Sequence, residues 1–181
     1  MDLETQKTLT SRILNLFADA PQHRCVPHVP GISDYEDRGT VLDVECSTVF
    51  ADFGGSTELV DRYDRKFALW LLRSYLLCAS SAIRYYGGEV TAFEGDGIMA
   101  LFTGESKEDM AVRSGFGIQW AVTNLIQPKI DELFPDVGYK MHQVVGIDSS
   151  TLSAVRTDVW NHYDILWVGG SANHAANLTR I

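Results

Sequence analysis

Residues 89–102, EVTAFEGDGIMALF, contain two short apolar segments on either side of Gly95-Asp96-Gly97. Glycine and aspartate tolerate the positive φ angles of a tight hairpin turn, and short apolar segments on both sides of such a turn are typical of paired strands. The pattern predicts an antiparallel hairpin of strands Glu89–Phe93 and Ile98–Phe102, with Asp96 in its turn.

A second acidic turn lies upstream, in the sequence FADFGGST of residues 50–57. It follows a segment rich in β-branched and apolar residues, which predicts a strand over Val41–Phe53. Asp52 stands at the end of that strand, and Ser56 or Thr57 is expected to cap a helix that follows. Each acidic turn therefore places a carboxylate beside glycines, where the backbone can approach a ligand closely.

The remaining periodic segments complete an α+β pattern. Apolar residues recur at helical spacing after Asp64, a predicted N-cap, and again after Lys107. The order strand, helix, strand, strand, helix, strand is that of a ferredoxin-like α/β sandwich. One helix is expected at 64–86, ended by Gly87-Gly88, and another at 107–126, ended by Pro128. A later strand is expected at 139–147. A serine-rich turn and a strand pair through Val155 and Ile165 should follow it.

Residues 1–40 are expected to lie outside the catalytic-looking domain, which spans residues 41–181. The segment Leu3–Phe17 has the apolar spacing of an amphipathic helix. Pro21, Pro27 and Pro30 predict an irregular connector over residues 19–39. The helix is interpreted as a cap on the domain or as a dimer contact, in preference to an arm that binds another protein.

Composition limits the classes of function. The net charge of −9 over 181 residues argues against nucleic acid as a partner, because phosphate backbones are bound through an excess of Lys and Arg. Cys25, Cys46 and Cys78 are widely spaced, which predicts a reduced, intracellular protein. The sequence shows no signal peptide, and its longest apolar run, residues 67–77, is too short for a membrane span. We expect a cytoplasmic protein without a membrane partner.

The two acidic turns predict a metal and phosphate site if they meet in space. In a ferredoxin-like sheet the first strand lies beside the hairpin, which would bring Asp52 next to Asp96. Two close carboxylates repel each other unless a cation intervenes, and Mg²⁺ or Mn²⁺ suits such oxygen ligands. A pair of divalent ions at this place would serve a nucleoside triphosphate. The backbone N–H groups expected to cradle its phosphates belong to Gly54, Gly55, Ser56 and Thr57.

Two shorter motifs suggest other enzymes but lack the necessary context. Asp52-Phe53-Gly54 matches the magnesium-binding triad of protein kinases, yet no H-R-D catalytic loop accompanies it. Gly87-Gly88-Glu89 is similar to the turn of diguanylate cyclases, but Val90 and Thr91 follow where that turn needs a second acidic residue. Both interpretations rank below a metal-dependent nucleotide enzyme.

From residue 49 to residue 181 the chain resembles the catalytic domain of class III nucleotidyl cyclases. The matching segments are FADFGGST at 50–57, YGGEV at 86–90 leading to GDGIMALF at 95–102, VGI at 145–147, and VGGSANHAA at 168–176. The resemblance implies cyclisation of a nucleoside triphosphate to a 3′,5′-cyclic monophosphate and pyrophosphate. It also implies a homodimer whose active sites lie at the subunit interface.

The resemblance also implies roles for individual residues. Asp52 and Asp96 would be the ligands of two Mg²⁺ or Mn²⁺ ions, helped by the carbonyl of Phe53. Asn173, contributed by the partner subunit, would orient the ribose. The positions that face the base in purine cyclases correspond to Ala92, four residues before the second aspartate, and Leu166, seven residues before the asparagine.

Three departures from the purine cyclases concern the base and the transition state. Adenylyl cyclases carry Lys at the first base position and Asp or Thr at the second, where this chain has Ala92 and Leu166; the polar readers of guanylyl cyclases are absent too. Ala and Leu cannot make the hydrogen bonds that identify a purine edge. The arginine that usually follows the asparagine by four residues is replaced by Asn177.

The absence of purine readers favours a different base. A cyclase with Gly-Ser-Thr after the first aspartate and no purine readers resembles the bacterial pyrimidine cyclases of Pycsar anti-phage defence. That resemblance implies cyclic UMP or cyclic CMP as the product, with UTP as the favoured substrate, and a separate effector protein that senses the product. A purine cyclase ranks second. A catalytically inactive nucleotide-binding module ranks last, because Asp52, Asp96 and Asn173 are all present.

Overall fold

A long central strand organises the sheet in the computed structural model, which describes residues 1–18, 20–37, 39–159 and 162–180. Within these ranges the sheet has six strands in the order β3-β4-β2-β5-β6, and β1 pairs with β2. The strands are β1 Gln22–Val26, β2 Thr40–Gly54, β3 Glu89–Glu94, β4 Gly97–Phe102, β5 His142–Val159 and β6 His162–Val168.

Helices connect and flank these strands. They are α1 Leu3–Ala18, α2 Ser56–Arg62, α3 Arg65–Tyr85, α4 Lys107–Ala121, α5 Gln127–Leu133 and α6 Gly170–Leu178, with a π-helical segment, Val122–Ile126, between α4 and α5 and a 3₁₀ turn at Ile32–Asp34. Asp64 caps α3, as predicted, by accepting a hydrogen bond from the Lys66 N–H at 2.9 Å. Among the described helices, none is both long and apolar enough to cross a membrane.

The strand order confirms the ferredoxin-like prediction. The elements β2, α3, β3, β4, α4 and β5 follow one another along the chain, and β2 lies between β4 and β5 in the sheet. Both neighbours are antiparallel to β2, and β5 pairs with it from Val41↔Val155 to Gly54↔His142. The end of β2 therefore lies beside the hairpin turn between β3 and β4. The strand β6 widens the sheet beyond β5.

Side chains of β2 alternate between two apolar layers. Val49 and Phe53 belong to the main core together with residues of α3 and α4. Phe50 belongs to a smaller cluster on the opposite face, against which α6 packs. In that second layer the buried hydroxyls of Thr48 and Ser171 lie 2.9 Å apart and hydrogen-bond, which attaches α6 to the central strand.

The N-terminal region differs from the irregular connector that the prolines predicted. Residues of β1 pair in parallel with the first part of β2, so this segment belongs to the sheet; Asp19 and Arg38 of the predicted connector lie outside the described residues. The strand was missed because four of its five residues are exposed, and an exposed edge strand carries no apolar alternation. The predicted helix α1 is present, but none of its residues is buried within the chain, which does not support a cap. A dimer contact stays a prediction.

Pro128 does not end the helical region, contrary to expectation. The helix changes to π-helical hydrogen bonding at Val122, where the Gln127 N–H donates to the Val122 carbonyl. Pro128 then occupies the first turn of α5, a position that needs no N–H donor. One register shift therefore accommodates the proline, and the helical path continues to Leu133.

The serine-rich turn predicted after residue 147 is also absent, because β5 runs through it without interruption. The hydroxyls of Ser149 and Ser47 hydrogen-bond at 2.7 Å across β5 and β2, on one face of the sheet. On the other face Ser150 donates to the Ser171 hydroxyl of α6 at 2.8 Å. These partners satisfy hydroxyl groups that would otherwise favour a turn. The β5–β6 pair through Val155 and Ile165 is confirmed.

Candidate active site

The fold brings Asp52 and Asp96 together, as the sequence predicted. Asp52 lies near the end of β2, and Asp96 lies in the turn that enters β4, the neighbour of β2. Burial raises the pKa of the Asp52 carboxyl, and the negative charge of Asp96 raises it further. No salt bridge in the described part of the chain neutralises either carboxylate.

Gly97 permits this close approach. A Cβ atom at position 97 would lie 2.9 Å from Cε1 of Phe50 and 3.2 Å from Oδ1 of Asp52. The Phe50 ring is buried and cannot move aside without disturbing its layer. Packing against β2 therefore requires glycine immediately after Asp96.

An open cavity of about 820 Å³ lies over this acidic pair. Four parts of the chain line it: the end of β2 with the start of α2, the turn between β3 and β4, the start of β5, and the residues that follow α6. The lining comprises Asp52, Phe53, Gly54, Gly55, Ser56, Thr57, Asp96, His142, Gln143, Val144, Thr179 and Arg180. All four residues predicted to cradle phosphate thus share one cavity with both carboxylates.

The helix start at this cavity is formed by backbone rather than by a capping side chain. Gly55 is the N-cap of α2 and adopts a left-handed conformation with φ of 77°. Ser56 and Thr57 lie inside the helix, so the prediction that one of them caps it is wrong. A left-handed N-cap favours glycine over Ser or Thr, which explains the difference.

The donor set fits a hard divalent cation. Because burial and the charge of Asp96 raise the pKa of Asp52, a positive ion beside these carboxylates would favour the ionised form of Asp52, and Mg²⁺ or Mn²⁺ accepts such oxygen ligands. Among the described residues, no three or more His, Cys, Asp and Glu side chains are placed to hold one metal ion, so other oxygens would complete the coordination. Backbone carbonyls, water and substrate phosphates are the usual sources for such ions.

A buried hydroxyl below the acidic pair is consistent with this fit. Tyr75 of α3 is fully buried, its ring packs edge-to-face against Phe53 at 5.5 Å, and its hydroxyl has no hydrogen-bond partner in the structure. Burial and the charges of Asp52 and Asp96 raise its pKa, so the hydroxyl stays protonated. A buried hydroxyl without a hydrogen-bond partner near two carboxylates is consistent with a site that also binds an ion or water.

The other predicted site residues lie elsewhere. Asn173, in the first turn of α6, is exposed and lies outside the lining of the acidic cavity. Ala92 of β3 packs against the cluster that contains Phe50, as Trp167 of β6 does. Leu166 precedes Trp167 on β6, so its side chain lies on the opposite face of the sheet, and it is 54% exposed. The structure therefore does not bring Ala92 and Leu166 together as one pair within the chain.

Known proteins with similar sequences or folds include several cyclases. The chain is 38% identical over 144 residues to a protein named uridylate cyclase from Xanthomonas perforans, a match that covers 80% of this chain and 62% of that protein. For a uridylate cyclase from Burkholderia cepacia the identity is 39% over 140 residues, covering 77% and 61%. A solved bacterial light-regulated adenylyl cyclase aligns with a TM-score of 0.67 at 25% identity, over 76% of this chain and 69% of that one.

The chain is a homologue of uridylate cyclases with the class III nucleotidyl cyclase fold. An adenylyl cyclase from P. aeruginosa shares the same fold, with a TM-score of 0.68 at 21% identity over 77% of this chain and 72% of that one. No protein-family model matches the chain. The aligned part spans about three fifths of the length of the uridylate cyclases, 62% and 61%.

Sequence reasoning missed six residues at this cavity: His142, Gln143, Val144, Thr179, Arg180 and Tyr75. His142 and Arg180 line the acidic cavity, and Tyr75 lies below it. Arg180 and His142 are separated from Asp52 by about half the chain or more, so no local motif connects them to it. The only sequence signal for Tyr75 was its place on the apolar face of a helix, which indicates core packing equally well.

Proposed function

We propose that the chain is the catalytic domain of a uridylate cyclase, which converts UTP to 3′,5′-cyclic UMP and pyrophosphate. The observation that carries the proposal is the meeting of Asp52 and Asp96 in one cavity with the glycine turn at residues 54–57. The names of the homologous proteins support uridine as the base. Ala92 and Leu166 lack the hydrogen-bonding groups of a purine reader, which is consistent with that choice.

In this proposal Asp52, Asp96 and the Phe53 carbonyl hold two Mg²⁺ or Mn²⁺ ions. Such ions, when bound, lower the pKa of the ribose 3′-hydroxyl and neutralise charge on the triphosphate. The backbone of residues 54–57 holds the phosphates. Attack of the 3′-oxygen on the α-phosphorus forms one P–O bond as the bond to the pyrophosphate breaks, so the chain contributes mainly orientation and charge complementarity.

Asn173 enters the proposal through a homodimer. Because it is exposed and outside the acidic cavity of its own chain, it is available to orient the ribose bound by a partner subunit. A site shared between subunits would make a separate monomer inactive. The resemblance to Pycsar cyclases further suggests a cytoplasmic protein in anti-phage defence, whose cyclic nucleotide is sensed by a separate effector. The net charge of −9 supports a nucleotide rather than nucleic acid as the ligand.

The test of the reaction uses the purified full chain with each of the four nucleoside triphosphates and Mn²⁺ or Mg²⁺, and identifies products by mass. Cyclic UMP should be the main product. Asp52→Asn should abolish it, whereas Asp136→Asn, which changes an exposed loop carboxylate, should not. Cyclic AMP or cyclic GMP as the main product would replace uridylate cyclase by a purine cyclase, and no cyclic product from any substrate would favour the inactive module.

The test of the shared site mixes two inactive variants. Asp52→Ala and Asn173→Ala should each abolish activity, because each removes one half of every site. A mixture of the two should recover part of the activity, since a heterodimer contains one site with both halves intact. If the mixture stays inactive although heterodimers form, the shared-site arrangement is wrong.

A further inference from the structure

The acidic cavity contains one side chain with a permanent positive charge. Among its described lining residues Arg180 is the only Arg or Lys, and it shares the cavity with the carboxylates of Asp52 and Asp96. Arg180 is exposed, so its guanidinium can meet a ligand that enters from solvent. A triphosphate bound near two carboxylates needs cationic partners, and a guanidinium supplies a planar set of donors for phosphate oxygens.

The backbone at Arg180 is fixed by the end of α6. The Arg180 N–H donates to the Asn177 carbonyl at 3.2 Å, and Thr179 donates to the Ala176 carbonyl through its N–H at 3.3 Å and its hydroxyl at 2.8 Å. Thr179 is itself buried. The base of the Arg180 side chain is therefore held at the rim of the cavity, which reduces the entropy cost of binding.

The partial negative charge at the C-terminal end of α6 also favours a positive group beside it. The last carbonyls of a helix carry partial negative charge, which repels an anion. Thr179 and Arg180 follow α6 directly and line the cavity, so that end of the helix lies beside the expected path of the phosphates. A guanidinium immediately after α6 offsets the unfavourable end of the helix dipole.

We infer that Arg180 binds the triphosphate of the substrate held by Asp52 and Asp96 of its own chain. The inference rests on the proposed nucleotide cyclase function. Arg180 is not a shifted form of the arginine that Asn177 replaces, because that arginine would act together with Asn173. Asn173 lies outside this cavity, whereas Arg180 lines it.

The experiment measures binding of inorganic tripolyphosphate to the full chain by calorimetry in the presence of Mg²⁺. This probe has no base and no ribose, so it reports on the phosphate subsite alone. Arg180→Gln should weaken binding about tenfold to a hundredfold, the usual effect of losing a charge-assisted hydrogen bond. Arg180→Lys should bind better than the Gln variant because it keeps the charge, and Arg113→Gln, an exposed residue of α4, should bind as the wild type does.

Steady-state kinetics with UTP provide a second measurement. Arg180→Gln should raise KM more than it lowers kcat if Arg180 binds phosphate oxygens that stay bound through the reaction. Thermal unfolding of the Gln and Lys variants should match the wild type, since the side chain is exposed. A structural role would instead lower Tm in both variants and leave no recovery with Lys.

The outcomes separate the two proposals. Wild-type affinity for tripolyphosphate in Arg180→Gln, or no binding by the wild type, would overturn the inference about Arg180 and leave cyclisation to be judged by its products. Absence of any cyclic product from the wild type would overturn the proposed reaction, whereas weaker tripolyphosphate binding by Arg180→Gln would still support the phosphate subsite.

Discussion

Gly146 lies so close to the backbone of α6 that replacing it by alanine should displace the helix and destabilise the protein. Gly146 lies in β5, and a Cβ atom added there would be 2.0 Å from the backbone oxygen of Ala175 and 3.0 Å from Cβ of Leu178. A relaxed C···O contact needs about 3.3 Å, so Gly146→Ala must move α6 away from the sheet by about 1.3 Å. The obstacle is backbone, which cannot rotate aside as a side chain can.

The displacement should affect stability and activity together. Lifting α6 strains the hydrogen bond between the Thr48 and Ser171 hydroxyls, at 2.9 Å, and the one that Ser150 donates to the Ser171 hydroxyl, at 2.8 Å. Overpacking a core costs about 1–3 kcal/mol, and an unpaired buried hydroxyl adds about 1–3 kcal/mol. We expect a loss of at least about 2 kcal/mol, which lowers Tm by about 4–8 °C for a chain of this size. Because α6 carries Asn173, the proposed cyclase activity should fall by about a hundredfold if Asn173 orients the ribose.

Gly115→Ala is the matched control. Gly115 lies in α4, where the nearest atom to an added Cβ, Cγ1 of Val145, would be at an ordinary 3.5 Å. Replacing a helical glycine by alanine stabilises by about 1 kcal/mol, so Tm should rise. The assays are thermal unfolding and formation of cyclic UMP. Binding of Mn²⁺ should stay at the wild-type level in both variants, because Asp52 and Asp96 lie outside α6. Equal Tm and activity for Gly146→Ala and Gly115→Ala would refute the close approach of α6 to β5.

Three further predictions concern polar groups of the site and of the layer below it. The pKa of Asp52 is raised above its ordinary 3.8 in the folded protein, so its charge destabilises the metal-free protein at neutral pH and the penalty disappears as pH falls through the raised value. Asp52→Asn should therefore raise Tm at pH 7 without metal, and its Tm should equal that of the wild type below about pH 3. In the same thermal scans Mn²⁺ should raise the Tm of the wild type but not that of Asp52→Asn. Tyr75→Phe removes a buried hydroxyl that has no hydrogen-bond partner, so the free energy of metal-free unfolding in urea should stay unchanged or rise by up to about 1 kcal/mol. Tyr35→Phe should behave in the same way. A clear loss of stability in either variant would show that its hydroxyl has a partner. Ser171→Ala should lower that free energy by about 1–3 kcal/mol by leaving Thr48 unpaired, and an unchanged value would show that this hydrogen bond contributes nothing.

Sequence patterns that extend over only a few residues were enough to predict most elements of the fold. The hairpin around Asp96 and the strand that ends near Asp52 were predictable because turn chemistry and β-branched runs act over a few residues. The strand β1 was not predictable, since its place depends on pairing with β2 across a connection that no local pattern describes. The prediction of a turn at the serine-rich segment was wrong for a related reason. Ser149 and Ser150 hydrogen-bond to side chains of β2 and α6, which come near them only in the folded sheet.

The acidic half of the site could be predicted because two motifs and a topology place it. Arg180 could not be, because its role depends on where the end of α6 meets the start of β5. An arginine three residues after Asn177 has no meaning in the sequence until those elements pack together. Similarly, the unpaired hydroxyl of Tyr75 exists only as a property of the packed core, where no neighbour offers it an acceptor.

The placement of Ala92 and Leu166 changes what their apolar character means for base selection. Ala92 packs against the cluster that contains Phe50, whereas Leu166 on β6 is 54% exposed, so a single chain does not enclose the two positions in one apolar pocket. Loss of purine readers therefore does not by itself define an apolar base pocket. Ala92 shares its layer with Phe50, and a Cβ atom added at position 97 would lie 2.9 Å from the Phe50 ring and 3.2 Å from Oδ1 of Asp52. A side chain larger than glycine at position 97 would therefore push against the Phe50 ring and the Asp52 carboxylate at once, so the packing of this layer and the position of that carboxylate are coupled.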